Sequence, residues 1–157
     1  MKIAVIGVGN ILCGDEGVGI HIINKLKYEP LSPNVEVYDC DTDVFAVLEA
    51  MDGAKKAIII DAMHLGYEPG TIYRFSYEEL LRVCSELTSI VSLHQLSLAS
   101  ILKIAQLTDV YKLPDEIVIF GVEVKSCNCS TNISNEVRQA IPKVISEVVR
   151  EIQKCMK

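Results

Sequence analysis

Two carboxylates and one imidazole in this chain stand where a doubly wound parallel sheet would gather its site. Glu16 follows the apolar run at residues 3–6, Asp61 closes the β-branched run at 57–60, and His94 opens a helical pattern. Together they make a hard-to-borderline ligand set that suits a first-row divalent ion with open coordination positions, where chemistry can occur. Taken singly, each has a plainer explanation. Glu16 could complement a helix dipole, Asp61 could cap the following turn, and His94 could be a half-buried histidine bonded to a carbonyl. Their joint placement is what points to a site.

Glu16 lies in the segment Gly7-Val8-Gly9-Asn10-Ile11-Leu12-Cys13-Gly14-Asp15-Glu16-Gly17-Val18-Gly19, which reads as a strand, a glycine-rich turn and a helix. Open α/β sheets place ligand sites at such turns. A dinucleotide-binding turn needs glycines at the first, third and sixth positions. Gly7 and Gly9 fit but Leu12 does not, and carboxylates at the helix start would repel a phosphate from the positive end of the dipole. Two other histidines compete for roles. His64 stands three residues beyond Asp61, a spacing that can bring both to one ligand and marks His64 as a supporting residue. His21 falls off Glu16's helical face and reads as solvated surface.

The elements that must position these residues follow from periodicity. Residues 35–38 form a second strand ending at Asp39, Thr42 can cap a short helix bearing Phe45, Leu48 and Met51, and residues 57–60 form a buried central strand. Pro69-Gly70 precedes an edge strand at 71–75, where polar residues alternate, and 78–87 suits a short helix. Leu98, Ile101, Leu102 and Ala105 give one apolar face to a helix starting near His94. Residues 117–122 form another buried strand, and Val137, Ile141, Ile145, Val148 and Ile152 line a terminal helix that Pro142 kinks or restarts. The expected fold is α/β: one three-layer domain over residues 1–157, with a twisted, mostly parallel sheet of about five strands and helices on both faces.

Composition narrows the function. The 157 residues are half apolar and 23% charged, with a net charge of −6 and no basic stripe or aromatic platform, which speaks against a nucleic-acid partner. No apolar run approaches the roughly 20 residues of a bilayer span, and Met1-Lys2-Ile3-Ala4 runs straight into a strand, so the expected location is the cytoplasm without membrane insertion. The six cysteines then read as reduced thiols. Cys127-Asn128-Cys129 is one residue short of a zinc knuckle and has no second pair, which favours two small loop residues.

The chain resembles the maturation endopeptidases of nickel-iron hydrogenases. The resemblance rests on the segment from Gly7 to Gly19, on Ile59-Ile60-Asp61-Ala62, on Pro69-Gly70-Thr71, on Ser92-Leu93-His94-Gln95-Leu96 and on Gly121-Val122, and it extends over essentially the whole sequence. It implies an endopeptidase that removes a short C-terminal peptide from the hydrogenase large-subunit precursor after nickel insertion. Glu16, Asp61 and His94 would be both the metal contacts and the catalytic residues, the same trio that position selects. The nickel comes with the precursor, and another divalent ion can stand in for it in the free enzyme. No cysteine or serine forms an evident nucleophile pair with a histidine, which disfavours a covalent route. Two other readings remain: a nickel-binding chaperone that uses the same trio without cutting, and a nucleotide-binding module built on the Gly7 turn.

One segment departs from the family pattern. Asp39-Cys40-Asp41-Thr42 replaces the usual Asp-Gly-Gly-Thr, trading two flexible positions for side chains. Glycine tolerates positive φ that cysteine does not, so a different loop shape or a different precursor is expected. Asp41 could add charge near the metal, and Cys40 is either a soft extra ligand or a plain loop residue.

Overall fold

A computed structural model describes residues 1–86, 93–125 and 129–156, and the side chains of residues 93–97 lie outside that description. Among the described residues five strands form one sheet: β1 (Ile3–Gly7), β2 (Val35–Asp39), β3 (Lys56–Met63), β4 (Ile72–Ser76) and β5 (Glu116–Glu123). Their spatial order is β2-β1-β3-β5-β4, with β4 alone antiparallel to its neighbour. β1 and β3 pair side by side, with Gly7 opposite Ile60, although the chain visits β2 between them. Connections therefore leave β1 and β3 in opposite directions, and the crevice at their carboxyl ends is the topological switch point of the sheet.

Continuous β-branched runs require cover on both faces, and helices supply it. α1 (Val18–Leu26) and α5 (Asn135–Lys154) pack over Ile3, Val5, Ile58, Ile60, Val118 and Phe120. On the opposite face α2 (Val44–Met51), α3 (Tyr77–Glu86) and α4 (Leu93–Thr108) cover Ala4, Ile6, Ala57, Ile59, Ile117 and Ile119. Alternation along β3 puts Asp61 on the second face, in step with Ile59 and Met63. β4 is less buried than the central strands, as expected of an edge.

Several local expectations are corrected. α2 is capped by Asp43, whose Oδ1 accepts from the amides of Phe45 and Ala46 at 2.9 and 3.2 Å, and not by Thr42. α5 is a single helix running through Pro142 without a restart, and the hydroxyl of Ser146 donates to the Pro142 carbonyl. In the departed loop the left-handed residue is Asp41, with φ +47, while Cys40 keeps an ordinary backbone and turns inward. Asp39 supports the turn by accepting from the Asp41 amide at 3.0 Å, the kind of Asx geometry that lets aspartate take a glycine's conformation.

Candidate active site

The turn after β1 does not lead directly into α1. Residues 8–17 make a loop that closes with a 3₁₀ turn, Gly14–Gly17, before α1 begins at Val18. Where a phosphate-binding loop would present free amides, this chain presents the two acids Asp15 and Glu16. Their fates differ. Asp15 is 1% exposed and accepts from the Lys125 amide and from the amide and hydroxyl of Ser134, at 2.9, 2.7 and 2.8 Å. It fastens the loop to the start of α5. Glu16 remains 15% exposed and faces the crevice.

Gly9 allows this arrangement. Its φ of +140 is a conformation that L side chains rarely adopt, and a Cβ there would strike the Glu16 carbonyl oxygen. Gly19, in the first turn of α1, lies directly against the Val8 and Ile60 carbonyls, so the helix seats on β1 and β3 with no side chain between. Both glycines set the depth at which Glu16 meets the end of β3.

Asp61 comes from that strand end and is 2% exposed. Burial raises its carboxyl to about pH 8; the Ala62 amide, donating to Oδ1 at 2.8 Å, works against the shift, the nearby Glu16 charge adds to it, and His64 opposes it. Burial thus favours the protonated form of Asp61 more than at an exposed carboxyl. His64, one residue past β3, donates from Nε2 to Glu16 Oε1. That hydrogen bond is the main cause of its raised pKa; burial acts against it, and the charges of Glu16, Glu123 and Asp61 reinforce it. Glu16, Asp61 and His64 thus form one electrostatic group at the switch point.

His94 sits in the first turn of α4. α4 runs down to the loop before β5, whose Lys112 and Asp115 amides bond Asp52 and Lys55 at the amino end of the sheet. Its first turn therefore lies toward the carboxyl end, on the face that Asp61 shares. The His94 side chain lies outside the described residues, as does Cys127. Among the described residues no three His, Cys, Asp or Glu side chains gather as a metal site.

Other candidates separate from the site. Cys40 is 5% exposed in the core beside Ile6 and Val47, and burial, reinforced by Asp39, Asp43 and Glu49, raises its thiol to about 11. It is a packing residue and not a ready thiolate ligand. His21 is half-buried, with no partner for its Nε2 among the described residues, not solvated surface, and burial lowers its pKa. Glu123 has a role that the sequence did not disclose. It is 3% exposed and accepts from the Leu65 and Gly66 amides and the Tyr73 hydroxyl, locking the β3–β4 connection. Its position at a strand end was the one available signal.

A family model described as hydrogenase maturation protease matches residues 20–151. The chain belongs to the hydrogenase maturation protease family. It is 30% identical over 155 residues to the hydrogenase 2 maturation protease of Escherichia coli K12, covering 98% of this chain and 92% of that one. The fold matches the hydrogenase maturating endopeptidase HybD from E. coli with a TM-score of 0.87 at 29% identity, over 99% of this chain and 94% of that one. HybD from Thermococcus kodakarensis shares the fold at a TM-score of 0.79 and 24% identity, over 97% and 99%. As a maturation protease the chain is a hydrolase, and its five-stranded mostly parallel sheet with helices on both faces is the fold of these endopeptidases. No helix among the described residues is long and apolar enough to cross a membrane.

Proposed function

We propose that this maturation protease removes a C-terminal peptide from the nickel-loaded precursor of a hydrogenase large subunit, with Glu16, Asp61 and His94 as its contacts to the precursor's nickel. The observation that carries the reading is the convergence of Glu16, from the 3₁₀ turn after β1, and Asp61, from β3, at the switch point of a family fold. The donor set of two carboxylates and an imidazole fits a divalent ion supplied by a substrate.

The chain's own groups suit peptide hydrolysis. A carboxylate that keeps one oxygen free of the nickel suits general acid-base work, because it can take a proton from the attacking water and return it to the departing amine. Asp61 is that group. Glu16, more open to solvent, is the carboxylate that meets the nickel-bearing segment first. Nickel held by the precursor would dock the scissile bond at the crevice with Glu16, Asp61 and His94 as its protein contacts, and would supply Lewis-acid polarisation of the carbonyl there. The rim supports a protein substrate: Leu12, Phe45 and Tyr67, on the segments after β1, β2 and β3, are 63, 58 and 67% exposed.

Intact-mass measurement after incubation with nickel-loaded and nickel-free precursor tests the reading. Shortening of the loaded form alone is expected. An unshortened loaded precursor, with nickel retained by the protease, would instead show a carrier.

A further inference from the structure

His64 is outside the trio proposed to reach nickel, yet it is restrained from two sides. Its Nε2 donates to Glu16 Oε1. A carboxylate oxygen only accepts, so the proton lies on Nε2. On the chain's other side, the two residues after His64 are clamped by Glu123. The Leu65 amide donates to both Glu123 oxygens at 3.1 and 3.0 Å, and the Gly66 amide donates to Oε1 at 2.9 Å. The Tyr73 hydroxyl on edge strand β4 donates to Oε2 at 2.8 Å. Glu123 is 3% exposed, so water does not compete for these bonds.

A glutamate side chain has several rotatable bonds, and an unrestrained carboxylate loses that freedom only when its ligand arrives. A hydrogen bond to one of its oxygens removes the cost in advance and directs the other oxygen. We infer that His64 is a positioning residue for Glu16: anchored by the Glu123–Tyr73 clamp, it holds Oε1 and presents Oε2 toward the substrate's metal. The inference rests on the reading of Glu16 as a substrate contact. It assigns the D-x-x-H spacing two tasks, with Asp61 facing the reaction and His64 setting the carboxylate opposite. The clamp links the edge strand to the site through the sequence Tyr73, Glu123, Leu65, His64 and Glu16.

The test compares the full-length wild type with His64→Gln and His64→Leu on nickel-loaded precursor. Glutamine keeps an N–H able to bond Oε1; leucine keeps bulk alone. Partners that orient a ligand are worth about 10- to 100-fold in activity. The expected result is a kcat/KM loss of that size in His64→Leu, carried mainly by a raised KM because the cost of ordering Glu16 then falls on nickel binding, and recovery to within about threefold of wild type in His64→Gln. Two wild-type-like variants would overturn the inference. Equal inactivity of both folded variants would also overturn it, because the imidazole would then act directly. A second measurement needs no cleavage: ¹⁵N NMR of the His64 imidazole in the free enzyme. Its Nε2 resonance is expected to move on Glu16→Ala, and an unmoved resonance rejects the pair even if the wild type cuts its precursor. A wild type that fails to cut while the resonance does move rejects the protease reading and leaves the pair established.

Discussion

At Gly9 a single added methyl group has nowhere to go. The Cβ would meet the Glu16 carbonyl oxygen, and φ of +140 strains any L side chain. Gly9→Ala is therefore expected to displace the turn that carries Glu16. Misplacing a reacting group by about 1 Å can cost roughly 100-fold, and kcat/KM on loaded precursor measures the loss. Asp61→Asn is nearly isosteric but cannot cycle a proton. Its cleavage is expected to drop by at least about 100-fold, while the melting temperature holds or rises, because a buried carboxyl is exchanged for a neutral amide. A lowered melting temperature would show that Asp61 is structural. At this scale the sequence was partly legible. Glu16 and Asp61 could be picked out by their position after apolar runs, and they do converge. The opposite fates of Asp15 and Glu16 could not be read, because Asp15's partners Lys125 and Ser134 are 110 and 119 residues away. Nor could Cys40's burial, since a loop cysteine carries no local sign of which way it turns.

Between elements, one ionic cluster ties the start of β3 and the edge strand β4 to α5. Glu151, 2% exposed on α5, takes hydrogen bonds from Lys56 at 2.6 Å, from Arg74 at 3.1 Å through both Nε and Nη2, and from Lys154 at 3.1 Å. Burial alone would raise its carboxyl, but the bonds from Arg74, Lys56 and Lys154 outweigh it and hold the group at about 2. The folded-state pKa lies below the ordinary value of 4.5, so this stabilisation is full above pH 4.5 and fades as pH falls toward 2. Glu151→Ala leaves the buried Lys56 with Glu116 as its remaining carboxylate partner, at 2.9 Å, and is expected to cost roughly 1–3 kcal/mol at pH 7. The difference from wild type should shrink in acid denaturation series near pH 2. A pH-independent difference would assign the loss to packing. Strands and helices were the most legible layer: β3 and β5 announce themselves by unbroken apolar runs, and β4 by its alternation. Pro142 misled, because a proline inside a long amphipathic helix costs one hydrogen bond without ending the helix when tertiary packing is strong.

For the molecule as a whole, the proposed chemistry lies at the carboxyl end of the sheet, which Asp15 and Glu123 also brace, while the Glu151 cluster fastens the amino end of β3. The exposed Leu12, Phe45 and Tyr67 surround the first region. Leu12→Ser with Tyr67→Ser is expected to raise KM for the precursor about five- to tenfold and leave kcat within about twofold, corresponding to roughly 1 kcal/mol of lost apolar contact. Equal KM values would place the precursor elsewhere on the surface. The central claim is that Glu16, Asp61 and His94 together meet the nickel carried by the substrate. X-ray absorption at the nickel edge, on the loaded precursor alone and then in complex with the protease, reads this contact directly. The account predicts that nitrogen and oxygen neighbours are added to nickel in the wild-type complex and that Glu16→Gln and His94→Ala each lose one while remaining folded. A nickel spectrum unchanged by a protease that still cleaves would contradict it.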